Sequence, residues 1–315
     1  MTEDEIRKEA ARLHAQPDLF GGDTIKEKRS KLKARLAKME ISKPLPAPRY
    51  RVLNLGAGVQ SCALALMSAR GDLERLDFAI FADTGWERKA TYRYLDWLDE
   101  RVPFEILRVS REGLDLGEYA MEGADLPQKG RPQIPFHLTP SGVMAKQCSK
   151  EFKTRVVHAK LREILGLERG QHGPREPVVE QWLGMTSDEL YRVSVSEKAY
   201  LHHRYPLIEK RMSRADMYPW FEQRQLPIPP SSSCIFCPLQ PPAHFEAIMA
   251  SEDRDRLIGF DRAIRKGYLG MTGSAYLTAE RKPIDECTFG SAASAGQEDL
   301  DYDEIHGCGD GECGV

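Results

Sequence analysis

An α/β fold, with a mostly parallel central sheet between flanking helices in a Rossmann-like arrangement, is what three observations predict for this chain. Apolar strand-like runs alternate with helical patterns from residue 51 onward in the order βαβαβ, which favours a parallel sheet covered by helices. A glycine-bearing turn, "GAGVQS", joins the first such run to the first helical pattern. A length of 315 residues is enough to bury a core of that kind.

The elements follow in order. Residues 3–15 and 24–40 read as two helices joined by "QPDLFGGD", with Asp23 or Thr24 as the N-cap of the second. The prolines of "SKPLPAPRY" (42–50) stop that helix and make a linker. Then come a strand at 51–55, a helix at 60–70, a strand at 77–82, a helix at 87–101 and a strand at 104–109. Residues 110–147 are loop-rich, 148–166 read as a basic amphipathic helix, and "VVEQWLGM" (178–185) is a further buried strand. The proline-rich segment 226–242 excludes a regular element; a helical stretch (243–266) and an acidic Cys/Gly tail follow. The division expected is an N-terminal helical extension (1–45), a nucleotide-binding α/β domain (46–225) and a cysteine-rich C-terminal region (226–315).

Composition narrows the function classes. Hydrophobic residues make up 41% and charged residues 30%, and the net charge of −3 is not that of a dedicated nucleic-acid binder. The charge is unevenly spread. Residues 26–40 hold seven basic and two acidic side chains, whereas 298–312 hold seven acidic ones and no Lys or Arg. Ile25, Leu32, Leu36 and Met39 give the basic stretch an apolar stripe suited to docking on a core or a partner. There is no apolar run of membrane-spanning length and no signal-peptide pattern, so a cytoplasmic protein that does not enter membranes is expected. Seven cysteines in a reducing compartment point to metal or redox roles for those that cluster.

In a parallel sheet the first strand-to-helix turn, at the carboxyl end of the strand, is the usual phosphate site. Gly56 and Gly58 permit close approach of backbone N–H groups, and Ser61 sits where a helix N-terminus favours an anion. A tight turn without ligand has the same residues. The second strand ends in Asp83-Thr84-Gly85, which places a carboxylate and a hydroxyl beside that turn for ribose or metal; an N-cap for the next helix is the plainer role.

"CIFC" (Cys234, Cys237) is the clearest metal signal, since two thiolates three positions apart grip one ion. Cys148 lies 86 positions upstream of Cys234, and Cys287, Cys308 and Cys313 follow downstream, so four thiolates are available for zinc or an iron–sulfur cluster. Cys62, inside the first helix, reads as a buried small hydrophobe. Lys146, Lys150, Lys153 and Arg155 surround Cys148, and Arg211 and Arg214 stand in "KRMSRAD". They are either a solvated face or clamps for phosphate or sulfate. Asp188, Glu189 and Arg192 of "GMTSDELYR" form a "G-x-x-x-D-E-x-x-R" stretch similar to one in a known family; the plainer role is a helix cap with an i, i+4 ion pair.

Together "NLGAGVQSCALA", "FADTGWERKATYRYLDWL", "QCSKEFKTRVV", "GMTSDELYRVS", "YPLIEKRMSRADMYPWF", "SSCIFCPLQ" and the closing "ECGV" resemble the phosphoadenosine phosphosulfate reductase group of the adenine nucleotide alpha-hydrolase superfamily, over about residues 50–315. Within it the chain is most similar to phage- and plasmid-type members and to the ATP pyrophosphatases of DNA phosphorothioation. The superfamily loop reads S-G-G-x-D-S. Here Gly56 stands for its first serine, Ala57 for its first glycine and Gln60 for its aspartate, while Gly58 and Ser61 match. The resemblance implies a nucleotide site of Gly56, Ala57, Gly58, Gln60, Ser61, Asp83, Thr84 and Gly85 for ATP and Mg²⁺. It implies substrate clamps at Lys150, Lys153, Arg155, Arg211 and Arg214.

For the metal it implies a [4Fe–4S] cluster, with zinc the alternative, on Cys148, Cys234 and Cys237; the family has a Cys-Cys pair where this chain has Cys148 alone, so the fourth ligand must come from elsewhere, and Cys308 is taken for it. The closing "ECG" resembles the family's terminal motif, which makes Cys313 the mobile sulfur carrier or nucleophile; the alternative is that Cys308 and Cys313 close the metal site. The activity implied is ATP-dependent sulfur transfer: adenylation with pyrophosphate release, then sulfur insertion into nucleic acid, DNA or tRNA, with a cysteine desulfurase or other sulfur donor as partner. A thiol-dependent phosphoadenylyl sulfate reductase is the alternative, and a nucleotide- and metal-binding scaffold for a sulfur-mobilising partner the third.

Overall fold

A computed structural model describes residues 42–111, 114–122, 134–267 and 273–289. The expected helices at 3–15 and 24–40, and Cys308 and Cys313 of the tail, lie outside the described residues.

Five parallel strands form the central sheet. They are β1 (Tyr50–Asn54), β2 (Phe78–Ala82), β3 (Glu105–Val109), β5 (Val179–Leu183) and β6 (Leu201–Arg204), in spatial order β3-β2-β1-β5-β6. β1 pairs with β2 through Val52↔Phe78 and with β5 through Val52↔Gln181. A two-stranded antiparallel pair, β4 (His137–Leu138) with β7 (Ala275–Tyr276), stands apart from it.

The alternation of side chains assigns the two faces of the sheet. Leu53, Phe81 and Trp182 point to a core completed by α1 (Val59–Arg70), α2 (Lys89–Asp99) and Met217, Trp220 and Phe221 of a later helix. Val52, Ile80, Val179 and Leu201 point the other way and meet Val157 and Leu161 of α4 (Arg155–Ile164). The chain therefore winds outward from β1 to β3 with helices on one face and returns to β5 under a helix on the opposite face. Right-handed crossovers require that change of face when the winding direction reverses. The reversal makes the crevice between the carboxyl ends of β1 and β5 the topological switch point.

Strands β1, β2, β3 and β5 fall where the apolar runs put them, to within one or two residues. Three expectations are corrected. The stretch 243–266 is two helices, α7 (Pro242–Met249) and α8 (Arg254–Ala263), with a short 3₁₀ turn after them. Between them Ser251 donates its hydroxyl to the Ile248 carbonyl (2.8 Å) and accepts the Asp253 N–H (3.2 Å), a local pairing that competes with helical bonds. The helix at 148–166 opens as a π-helical turn, Lys150–Thr154, before α4 proper. The loop-rich segment contains a helix, α3 (Leu116–Glu122), besides β4. Edge strand β6 and helices α5 (Pro206–Glu209) and α6 (Arg214–Glu222) carry no expectation from the sequence.

The segment after residue 226 is irregular, as its prolines require, and it belongs to a second apolar cluster. Phe236 stacks on Phe260 at 3.9 Å with Trp86 tilted against both, and Ile235, Phe245, Ile248 and Leu257 are buried around them. Trp86 follows β2, so this cluster is fastened to the carboxyl edge of the sheet. A third feature closes the far edge. Arg204, 4% exposed, bonds Glu180 (3.1 Å), Glu74 (3.1 Å) and Glu209 (2.9 Å), and Glu180 also accepts the Leu45 N–H (2.6 Å) and the Trp182 indole N–H (2.8 Å). Ser42 adds its hydroxyl to Glu209 (2.9 Å) and accepts the Tyr205 N–H (2.9 Å), so the linker is tied down along β6. Among the described residues no helix is long and apolar enough to cross a membrane.

Candidate functional site

The turn after β1 lies at the switch point. Leu55 N–H closes the strand on Ile80 O (2.9 Å), and residues 56–58 then pass over the crevice to enter α1. Ala57 adopts φ +57 and is fully buried, a left-handed conformation that costs an alanine roughly 1–2 kcal/mol. Gly58, the N-cap of α1, differs. Its φ is −88, and a Cβ added there would meet only Ser232 Cβ at 3.9 Å, an ordinary contact. Neither a positive φ nor a close neighbour demands glycine at that position. No side chain caps α1, so the first turn of a twelve-residue helix presents its N–H groups at this turn, where the helix dipole favours an anion.

Three segments surround this turn. From the β5 side, Gly184 packs so closely that a Cβ there would lie 3.0 Å from Ser61 N and 3.2 Å from Ser61 Cα, both backbone atoms. Gly184→Ala is therefore expected to push on the first turn of α1 and to lower stability by about 1–3 kcal/mol in denaturant titration. Unchanged stability is the outcome that contradicts this packing. Beyond Gly184, Thr186 and Glu189 receive the Gln60 amide. From the C-terminal segment, Ser232 donates its hydroxyl to Gly56 O, and Ser231 is 3.5 Å from Arg88.

The turn after β2 is the third. Asp83 accepts the Gly85 N–H (2.8 Å) and the Tyr92 hydroxyl (2.6 Å) on one oxygen. Gly85 has φ +77, and a Cβ on it would strike Asp115 Oδ2 at 2.0 Å, so glycine is required twice over. Thr84 is buried with its hydroxyl 3.1 Å from Cys234 Sγ. Neither Asp83 nor Thr84 caps α2, whose N-cap is Arg88 with no side-chain bond, which removes the plainer role weighed for them. Arg256 of α8 stacks over Trp86 (3.9 Å) and bonds Gly85 O (2.6 Å), bracing the turn from the second cluster.

The cysteines gather behind this second turn. Cys234 pairs by a β-bridge with Glu87, and Ile235 N–H bonds Trp86 O (2.8 Å). Burial pushes the Cys234 and Cys237 thiols up, and it raises Cys148 to about 11, with the neighbouring Cys237 adding to the effect and Lys146 and Lys153 opposing it. Glu87 is wholly buried; burial raises its carboxyl, against the pull of Lys153, whose Nζ lies 3.5 Å away. Among the described residues no group of three or more His, Cys, Asp or Glu side chains is arranged to hold a metal ion. Cys62 is buried in the main core, and Cys287 packs against the second cluster with its sulfur 3.3 Å from the Thr278 hydroxyl.

The basic residues divide. Lys153 faces Glu87 and the cysteines. Arg155 pairs with Glu151 (2.6 Å) in an open groove of about 540 Å³ that it shares with Val109, Arg111 and Lys160 at the end of β3, and Lys150 is exposed. Arg211 and Arg214 are exposed on the β5 side, where Asp188 accepts the Arg214 N–H (3.2 Å). Glu189 does cap its turn, in a capping box with Thr186, and pairs with Arg192 at i, i+3 (2.5 Å). Ser232, Gly184, Glu87 and Arg256 have no signal of their own in the sequence; only their nearness to "CIFC", to the strand at 178–185 and to "DTG" could have drawn attention to the first three.

No family model matches this chain, and no curated protein does. Among solved structures the chain is similar to the phosphate complex of phosphoadenylyl-sulfate (PAPS) reductase from Candida auris, with 12% identity over 73% of this chain and 90% of that one and a TM-score of 0.40. A similarity of that depth transfers no residue's role.

Proposed function

We propose that the chain is an adenine-nucleotide-dependent enzyme of sulfur chemistry, with ATP held by the turn 56–61. The observation that carries this reading is Gly58: its backbone conformation and surroundings would accept a side chain, so the glycine serves whatever approaches the backbone from outside. Backbone N–H groups at the start of α1 and the Ser61 hydroxyl would take the phosphates, and Asp83 and Thr84 the ribose or Mg²⁺. In the reaction an oxygen of the acceptor attacks the α-phosphorus of ATP and pyrophosphate leaves. The outer sulfur of a persulfide then displaces AMP together with that oxygen, and an external thiol cleaves the remaining S–S bond, leaving the sulfur on the acceptor and the carrier sulfur in a disulfide with that thiol. Nucleic acid as acceptor, a cysteine desulfurase as sulfur source and Cys313 as carrier remain part of the proposal, as does a cytoplasmic location.

The test is to supply ATP and adenylyl or phosphoadenylyl sulfate separately. ATP raising the melting temperature and releasing pyrophosphate in the presence of nucleic acid and a sulfur donor supports the reading. Release of sulfite from the sulfated nucleotide replaces it with the reductase reading, and no turnover of either leaves a binding scaffold.

The described residues supply only part of a thiolate-bound centre: Cys237 acts by charge on both Cys148 and Cys234, and Lys146 and Lys153 would offset the anionic charge of metal-bound thiolates, while Cys308 lies outside the described residues. Such a centre, [4Fe–4S] or zinc, would be structural or electronic, and no step is assigned to it. Serine at Cys234 or Cys237 is expected to abolish bound iron or zinc measured by elemental analysis, while Cys62→Ser leaves it unchanged. Equal metal content in all three variants contradicts the assignment.

A further inference from the structure

Gln60 occupies the place of an acidic residue in the loop pattern, yet a carboxylate stands beside it. The Gln60 amide donates to Thr186 Oγ1 (3.0 Å) and to Glu189 Oε2, and the same Glu189 oxygen accepts the Thr186 hydroxyl (3.0 Å) and N–H (3.3 Å). Glu189 Oε1 accepts from Arg192 (2.5 Å). Thr186 is fully buried, and the Glu189 side chain is 13% exposed. Glu189 also departs from the geometry of its own turn, with φ −102 and ψ 23, in the sparsely populated bridge region. The carboxylate thus reaches across the crevice from the end of β5 to the first turn of α1: while capping its own turn with Thr186 and pairing with Arg192, it takes the amide of the side chain that follows the glycine loop.

We propose that Glu189 is a positioning residue for the phosphate loop: with Thr186 it anchors Gln60, and through Gln60 it fixes the first turn of α1 so that its N–H groups meet a phosphate without rearrangement. Arg192 completes the device. An unneutralised carboxylate near a helix N-terminus would repel the incoming anion, and the guanidinium cancels that charge while leaving the hydrogen bonds to Gln60 intact. Preorganisation of this kind improves affinity by removing the ordering cost at binding. The inference rests on the reading of residues 56–61 as the phosphate loop.

Its test has one readout that needs no ligand. In the free protein, Glu189→Ala is expected to speed amide hydrogen exchange roughly tenfold in peptides covering 62–65, where the bonded amides of α1 begin with Cys62 N–H on Gly58 O (3.0 Å), the loss of one hydrogen bond to a charged group, with β2 peptides unchanged. Glu189→Gln, which still offers an acceptor to Gln60, restores most of the protection, and Gln60→Ala reproduces the loss without adding to it in the double variant. By calorimetry the Glu189→Ala variant binds ATP roughly tenfold more weakly than the parent. Unchanged exchange at 62–65, or an equal rise across β2, overturns the positioning role. If the parent protein binds no adenine nucleotide while the exchange pattern appears as stated, the proposed function fails and the anchoring of the loop stands.

Discussion

Arg204→Ala is expected to lower the stability of the folded chain by about 3–5 kcal/mol, the usual result of removing one partner from a buried ion pair. The reason is what it leaves behind. Glu180 is fully buried, and its remaining partners are the Leu45 and Trp182 N–H groups and Arg51 at 3.5 Å. Glu209 and Glu74 lose the same guanidinium, and with them goes the tie between the linker and β6. In thermal unfolding the change corresponds to a fall of roughly 10 °C for a chain of this size. Arg262→Ala removes an equally short pair, with Asp285 at 2.9 Å, but the arginine is 70% exposed, and a change within about 1 kcal/mol is expected there. A loss at Arg204 no larger than at Arg262 contradicts the network's role.

The same network has a pH signature. Glu74 is held below the ordinary carboxylate range: burial acts to raise it, but its backbone bond and Arg204 outweigh that. A carboxyl depressed in the folded state contributes stability that is present above its unfolded pKa and is lost as pH falls through the folded value. Acid titration of the parent should therefore show a loss of stability below about pH 4, and that part of the slope should shrink in Arg204→Ala.

Gly58→Val is expected to abolish the ATP-induced rise in melting temperature while leaving the ligand-free melting temperature nearly unchanged. The two halves of that result come from separate facts. The backbone at Gly58 is extended, with φ −88, and a Cβ there makes only one ordinary contact, so the cost of the change to the fold is limited to that of valine in place of glycine at an N-cap, about 1 kcal/mol. The added methyl groups stand at the N-terminus of α1, where a phosphate must come within hydrogen-bond distance of backbone N–H groups, so the ligand does not tolerate it. Differential scanning with and without ATP separates the outcomes. An undiminished shift in the variant places the nucleotide elsewhere, and a collapse of the ligand-free protein means that glycine there serves the fold.

The strands of the sheet could be read from the chain because a parallel strand buried on both faces is a mostly apolar run, unbroken in "FAIFA" and kept in part in "YRVLN" and "VEQWL", where Asn54, Glu180 and Gln181 are buried polar interruptions. "GAGVQS" and "DTG" could be read as turns at their carboxyl ends because glycine marks backbone that needs room or a positive φ, and Gly85 needs both. "LHHR" gave no such signal: β6 is an edge strand whose burial depends on Arg204 and the linker, a matter of charge pairing rather than of apolar pattern.

What the amino-acid order determined by itself is local: which runs are strands, where the chain turns, and that two cysteines sit together on a proline-stiffened loop. Only the tertiary structure decided which distant groups meet. Return of the chain from β3 to β5 brings Thr186 and Glu189 to Gln60, 126 and 129 positions away, and sets Gly184 against Ser61. Docking of the second apolar cluster on Trp86 carries Ser232 to Gly56 and Cys234 to Thr84 and Glu87. It also divides the basic residues around Cys148, sending Lys153 inward to Glu87 and Arg155 outward to the groove. Spacing along a chain fixes side-chain direction only within one element, and the relative placement of elements follows from how their apolar faces pack, which no single stretch of sequence contains.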